Sequence, residues 1–469
     1  MISLYIIFIT AVMVLFLGLN KKEVGFNKLS GFILIVTSAL SVAAAKGWIK
    51  TAELESWAPS NMIYFGYAEN MMVALLSLIT AIVLLVFAET EIVGTDRVGL
   101  ILLSLCGAIM MIAYQHMVML FLGLEVLSIP LFVLAGSDKE RLASNEAALK
   151  YFLMGAFSTA VFLLGVAFTY GATGSMELAS MGIKASFHHA LEGMPVPALL
   201  NAGLVLMSVG LLFKISAAPF HFWSPDVYEG SPNRVMAFMS TIVKVAAFYA
   251  FAKLLSNFEG IRKSWETWFI ALSMITILWG NLAALKQNNI KRMMAYSSIA
   301  HAGYLMMFLL LPGEKLQQYY ILVVYMISYA FSSIGLLSLA HVLNKNGSED
   351  LNFSVLNGLS KKNPLLMIIM VIFVLSIAGI PITAGFAGKF YLFSSAWYTS
   401  PVLVLVGLLG SAISIGYYFK FIKGAIADDS ENSNDFKIGT VLTIVLSICA
   451  LVLVGVGVFG LETLTFLIG

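Results

Sequence analysis

Apolar runs of about 20 residues, the length needed to cross a bilayer as a helix, recur along the whole chain. They fall near 3–20, 30–46, 69–88, 98–114, 116–136, 148–172 and 198–220. Seven more follow near 235–255, 267–285, 294–312, 317–342, 364–395, 400–423 and 438–459. The pattern predicts an all-α integral membrane protein of about fourteen transmembrane helices. The longest gaps, near 47–68, 173–197 and 343–363, leave no room for a soluble nucleotide-binding domain. The first run has no positive charge ahead of it and no A-x-A site, and is followed by Lys21 and Lys22, so it reads as a retained span with its amino end outside.

Charge tests the count, because one missed span would scramble the loops that carry Lys and Arg. With both termini outside, 17 of the 27 basic residues fall on the cytoplasmic side, 7 on the other, and Lys214, Lys244 and Lys389 within spans. That asymmetry supports fourteen. Of the 469 residues, 60% are hydrophobic and only 11% charged, and the net charge is +2. No basic stripe suggests nucleic acid as a partner. The two cysteines, Cys106 and Cys449, lie far apart in apolar stretches, without metal-ligand or disulfide spacing. There is no Walker A sequence, and the G-x-G-x-x-G match at Gly455, Gly457 and Gly460 lies inside the last span. It lacks a preceding strand, so it reads as small-residue helix packing.

A fainter regularity links "ISAAPF" at 215–220 with "ITAGFA" at 382–387. Each sits in a span interrupted by Pro or Gly and carrying a lysine. Five helices separate them, so a copied unit would be inverted, as in many transporters.

The candidate chemistry is buried charge. An ionisable side chain at the bilayer centre costs about 2.5–3.5 kcal/mol on insertion scales and usually faces a wet cavity and a partner. Glu125, in "MLFLGLEVLSIPLF", is the carboxylate deep in a span, and Lys214, Lys244 and Lys389 are the three bases. Proline removes a backbone donor and clashes with the carbonyl four residues earlier. Pro130 would thus free the carbonyl of Val126, beside Glu125, and Pro219 that of Ile215, beside Lys214. Gly379, Pro381, Gly385 and Gly388 loosen the helix before Lys389. Burial disfavours a charged amine and a nearby carboxylate favours it, so a lysine with a movable partner can bind and release a proton. Glu125 is expected to modulate Lys214, with the proton passing to Lys244 and then to Lys389 as the exit.

Blander readings stand beside these. Lys244 can snorkel to the interface, and Glu125 can be a structural partner. Glu146 and Lys150 are spaced i,i+4, which fits a surface ion pair as well as a proton entrance. His221, His301 and His341 lie at predicted span ends, where they read as interfacial side chains or as relays; Tyr296 is similar.

Longer strings then look familiar. "LFLGLEVLSIPLFVLAG", "NEAALKYFLMGAFSTAVFLLG", "LLFKISAAPFHFWSPDVYEGSP", "NNIKRMMAYSSIAHAGYL" and "GIPITAGFAGKFYLF" closely resemble the antiporter-like membrane subunits of the proton-pumping NADH:quinone oxidoreductase, respiratory complex I. The matches run from about 121 to 395; residues 1–95 offer no motif to align. The eighth span, "FMSTIVKVAAF", and Lys389 in the twelfth fit the N-type of these subunits rather than the L- or M-type.

The resemblance implies fourteen helices with two inverted five-helix repeats and discontinuous helices 7 and 12. It places N-terminal helices at 1–95, the first repeat at 96–255, the inverted second repeat at 256–425 and a last helix at 426–469. It carries Glu125, Lys214, Lys244 and Lys389 onto the family's proton-translocating positions, and His221, Tyr296, Glu146 and Lys150 onto motif positions of less defined role. It implies a non-redox subunit of a proton-translocating oxidoreductase in a bacterial inner membrane. FMN, iron–sulfur clusters and quinone belong to partner subunits, and M-type and K-type subunits are the neighbours in a hetero-oligomer. Three rivals remain: a subunit of an Mrp-type cation/proton antiporter, the same subunit serving another electron donor, and an inert membrane scaffold.

Overall fold

A computed structural model of the chain describes residues 1–18, 25–49, 62–88, 94–190, 196–311, 315–344, 351–427 and 439–468. Lys21, Lys22, Lys50, Lys345 and Lys437, which contribute to the charge asymmetry, lie outside them. The described residues are all-α, with only isolated β-bridges such as Ile63 to Tyr114.

Each of the fourteen apolar runs is occupied by helix. In chain order these are α1 (Ile2–Gly18), α2 (Gly25–Ala45), α3 (Tyr67–Val86), α4 (Thr95–Ala113), α5 (Met117–Ala135) and α6 (Leu142–Thr173). After α7 (Leu178–Ala190) come α8 (Ala198–Lys214), α9 (Trp223–Gly230), α10 (Asn233–Asn257), α11 (Arg262–Leu285) and α12 (Ile290–Leu309). The last are α13 (Lys315–Leu343), α14 (Pro364–Ala378), α15 (Ala384–Ala396), α16 (Pro401–Ile426) and α17 (Thr440–Ile468). Ten helices are long and apolar enough to span a membrane among the described residues, and α1, α8 and α14 are shorter apolar helices. The unpredicted α7 fills much of the 173–197 gap, and α6 begins six residues before its apolar run because its first turns are polar.

The chain divides into two compact units. The first comprises Met1–Ala81, Gly94–Pro232 and Ile242–Ser273. Its helices meet through small residues, as expected where lipid offers no hydrophobic drive to pack helices together. A Cβ on Gly107 of α4 would lie 2.2 Å from the Leu127 backbone nitrogen of α5, so these two backbones are in contact. The rims of α1 and α6 expose Phe8, Phe16, Leu153 and Phe157, an apolar surface suited to lipid.

The second unit comprises Ile82–Val93, Asn233–Thr241 and Met274–Gly469. Its helix starts are encoded locally: the Asn363 side chain accepts from Leu366 N at 3.2 Å with Pro364 at the first helical position, and Ser400 accepts from Leu403 N at 3.4 Å ahead of Pro401. Both pairs join a side-chain cap to a proline whose missing N–H costs nothing there. Gly457 of α17 lies against the chain at Ile382 and Thr383, where a Cβ would stand 2.4 Å from the Ile382 carbonyl oxygen. Packing is thus the role of that glycine, while Gly460, at φ 67°, marks a kink.

Candidate proton-carrying sites

Two helices are interrupted, and both end in the same way. In the first unit α8 stops at Lys214, the Ser216 N–H donates to Phe213 O at 3.0 Å, and the Ala217 N–H to Leu212 O at 2.9 Å. In the second, α14 stops at Ala378, with Gly379 N donating to Ser376 O at 3.0 Å and Ile380 N to Leu375 O at 2.9 Å. These are paired 5→2 and 6→1 bonds around one left-handed residue, the Schellman pattern. That residue is Gly379 at φ 82° in one case and Ser216 at φ 59° in the other, where a Cβ costs about 1–2 kcal/mol. The break therefore precedes Pro219, which follows in a cis peptide with Ala218. Proline at 219 does not itself end the helix, contrary to expectation. Helix α5 likewise continues through Pro130, so that proline creates no break beside Glu125.

Lys214 is buried, the last residue of α8. Its amine donates to Ser128 Oγ at 2.5 Å, and Ser128 in turn donates to Leu124 O. The rings of Phe132, Tyr151 and Phe213 stand 5.7, 5.8 and 5.9 Å from Nζ, a cation–π enclosure. Trp223, across the break, stacks on Tyr151 with centroids 4.7 Å apart and donates its Nε1–H to Phe213 O at 3.1 Å. The break is thus braced by aromatic side chains. Glu125 is partly buried, on the helix that carries Ser128. No hydrogen bond or ion pair joins Glu125 and Lys214 among the described residues.

Beyond the break, the carboxylates of Glu146 and Asp226 each lie 2.7 Å from Lys150 Nζ. The expected i,i+4 pair therefore exists but is half of a three-residue bridge from α6 to α9. Asp226 was not singled out from sequence; its position just after the break is the one signal that could have found it. His221 lies within the break, buried and stacked on Phe222 at 4.6 Å, so it is not an exposed interfacial residue. Lys244, in α10, is 0% exposed, so its side chain does not reach the surface of the chain.

In the second unit Lys389 sits in the second turn of α15, and its amine donates back to Ala378 O at 2.9 Å, on the end of α14. That carbonyl is one of those a helix end leaves without an internal partner, at the negative pole of the helix. Gly385 permits the return, since a Cβ there would stand 1.7 Å from Ser376 O. Lys389 Nζ also lies 5.2 Å from the Tyr304 ring centroid. A cavity of about 450 Å³ opens beside it, lined by Gly379, Lys389, Phe393 and Ser411 among others.

His301 is the twelfth residue of the 20-residue α12 and is buried. The expectation that it lies at a span end is corrected: α12 starts four residues before its apolar run and centres the histidine. Its Nδ1 and Nε2 are 2.7 and 3.1 Å from the hydroxyls of Tyr325 and Tyr418. Tyr418 also bonds Ser297, and Tyr329 donates to Ser298 Oγ at 2.9 Å. Tyr296, on the same helix, is partly buried. His341 does lie in the last turn of α13, 2.6 Å from Asn233 Nδ2. The tyrosines of the His301 cluster escaped sequence reading because they come from two other helices, α13 and α16. Among the described residues no three His, Cys, Asp or Glu side chains gather as metal ligands.

Two buried amines are thus held at helix breaks, one on a side-chain hydroxyl and one on a main-chain carbonyl. Residues 114–414, which contain both breaks, match the family model described as "NADH:quinone oxidoreductase/Mrp antiporter, TM". The chain belongs to this family. A family relative, the NADH-quinone oxidoreductase subunit N of Cytophaga hutchinsonii, is 40% identical over 78% of this chain and 78% of its own. Family architecture also appears in the solved respiratory complex I of Thermus thermophilus with bound aureothin. One of its chains is 30% identical, with a TM-score of 0.76 over 97% of this chain and 96% of that one. A chain of the archaeal membrane-bound sulfane sulfur reductase shares the fold at a TM-score of 0.87 and 23% identity, covering 98% and 94%.

Proposed function

We propose that this chain is the proton-translocating N-type membrane-arm subunit of a NADH:quinone oxidoreductase. The observation that carries the reading is the pair of buried lysines at interrupted helices in a chain of this family. Protons move through Glu125, Lys214, Lys244 and Lys389, in that order. The Glu125 charge sets how readily Lys214 holds its proton, and Lys389 is the exit. Glu146, Lys150 and Asp226 form the entrance, with His221, Tyr296, His301 and His341 as relays. The two breaks lie in inverted repeats at 96–255 and 256–425.

Energy reaches the chain from outside it, as a conformational or electrostatic signal. FMN, iron–sulfur clusters and quinone reside in partner subunits, and M-type and K-type subunits are the neighbours. The assembly sits in a bacterial inner membrane with both termini of this chain outside.

Replacing Lys214 by alanine in the intact assembly, and following NADH oxidation and proton uptake together in membrane vesicles, tests this. Loss of both with normal assembly is the expected outcome. Unchanged proton uptake contradicts it. Because the family description also covers Mrp antiporters, sodium efflux without NADH is the result that would favour that second reading.

A further inference from the structure

The cavity beside Lys389 opens among apolar side chains. It measures about 450 Å³, lies along α15 and α16, and is lined chiefly by aromatic and aliphatic residues. Phe393 and Val404 form a buried floor with Lys389, while Phe390, Trp397 and Leu408 form rims that are each about half exposed. Residues 390, 393 and 397 recur at i, i+3 and i+7, so they share one face of α15 and its C-terminal end. At 1.5 Å per residue the groove runs about 12 Å from the level of Lys389 to that of Trp397. Its size and lining are those of small-molecule sites, which are mostly apolar with a few placed polar groups.

The placed polar group is the amine. Gly379 also lines the cavity, and a Cβ on it would stand 3.2 Å from Lys389 Nζ, which puts the amine itself, and not only its stem, at the wall. An ammonium has three donors. One goes to Ala378 O at 2.9 Å, and the Tyr304 ring lies 5.2 Å away, so donors remain for an acceptor that arrives through the groove. Among the described residues that line it Lys389 is the one cation, and no carboxylate accompanies it. A buried charge is costly until it is paired and hydrogen-bonded. An apolar groove ending in one such cation fits a single acyl chain that carries one negative charge; two chains and a headgroup do not match a lone amine at the deep end.

We propose that this groove binds a long-chain fatty acid from the membrane, its carboxylate paired with Lys389 and its chain lying along Phe393 and Val404. The acid enters in its neutral form, so that no unpaired charge crosses apolar surroundings. Its O–H bond then breaks and the proton passes to the lone pair of the neutral amine, leaving a carboxylate beside an ammonium. The pair holds Lys389 charged, and a bound chain therefore stops it from releasing its proton. This last consequence rests on the reading of Lys389 as a proton carrier; binding does not.

The test uses the whole complex in lipid vesicles with an uncoupler present, so that protons carried by the acid itself do not affect the rate. The probe is palmitate with a photoreactive diazirine on its chain, crosslinked peptides are identified by mass spectrometry, and NADH oxidation is followed with unmodified palmitate. Labelling of α15 and α16 is expected, competed by palmitate and not by its methyl ester, together with slower NADH oxidation. Leu408→Trp fills the mouth from an exposed rim; it is expected to turn over normally without palmitate and to lose labelling about tenfold or more. Lys389→Gln is expected to lose labelling equally, whereas Lys389→Arg keeps it because the charge remains. Should Leu408→Trp fail to assemble, the Gln and Arg pair carries the test. Equal competition by acid and ester overturns the proposal, since the groove would then take any acyl chain. Labelling retained in Lys389→Gln overturns it too, as does no labelling in the assembled complex, where a neighbouring subunit would cover the groove. Labelling as expected with NADH oxidation unaffected upholds the site and defeats the reading of Lys389 as a coupled proton carrier.

Discussion

The two interrupted helices end in the same backbone motif but hold their lysines by different means. Lys214 is the last residue of the half-helix before the break and bonds a side chain, Ser128, inside three aromatic rings. Lys389 stands after its break and reaches back to a main-chain carbonyl, Ala378 O. The Ser128 hydroxyl that accepts from Lys214 donates in turn to Leu124 O, and Glu125, on the same helix, is partly buried. The carbonyl holding Lys389 is fixed by the helix that carries it. In the proposed route the first amine, with a carboxylate on the neighbouring helix, is the modulated loading site, and the second, on a main-chain carbonyl, is the exit.

The comparison breaks most readily at Glu125. If its field tunes Lys214, Glu125→Gln lowers coupled proton uptake on the order of tenfold, equivalent to about 1.4 kcal/mol, with assembly intact. An unchanged rate would leave Lys214 no more adjustable than Lys389. A smaller effect sharpens the boundary of the adjustable site. Asp226→Asn removes one of two carboxylates from Lys150, whose side chain is 39% exposed. Pairs this open contribute at most about 1 kcal/mol, so proton uptake in the same vesicle assay is expected to fall no more than about fivefold. A loss as large as that from Glu125→Gln would extend the modulating group to α9.

Run length made the apolar helices legible, and the Pro- and Gly-containing stretches marked where both interruptions fall, although Pro219 does not itself end α8. How the helices end was not legible: Ser216 takes the left-handed position that Gly379 takes in the other break, and nothing about a serine announces it. The matching strings at 215 and 382 are consequently four residues out of step with these two left-handed positions. Glu125, Lys214, Lys244 and Lys389 stood out because charge is rare in apolar runs. Tyr325 and Tyr418 did not, since each is unremarkable in its own helix and meets His301 only when three helices pack.

Whether the buried lysines carry protons or merely supply charge is decided by Lys389→Arg. Arginine keeps the positive charge and the reach to Ala378 O but does not give up its proton. Proton uptake by the assembled complex, measured against NADH oxidation, is expected to be lost in this variant. Proton uptake at the wild-type ratio would mean that Lys389 supplies charge and does not carry the proton.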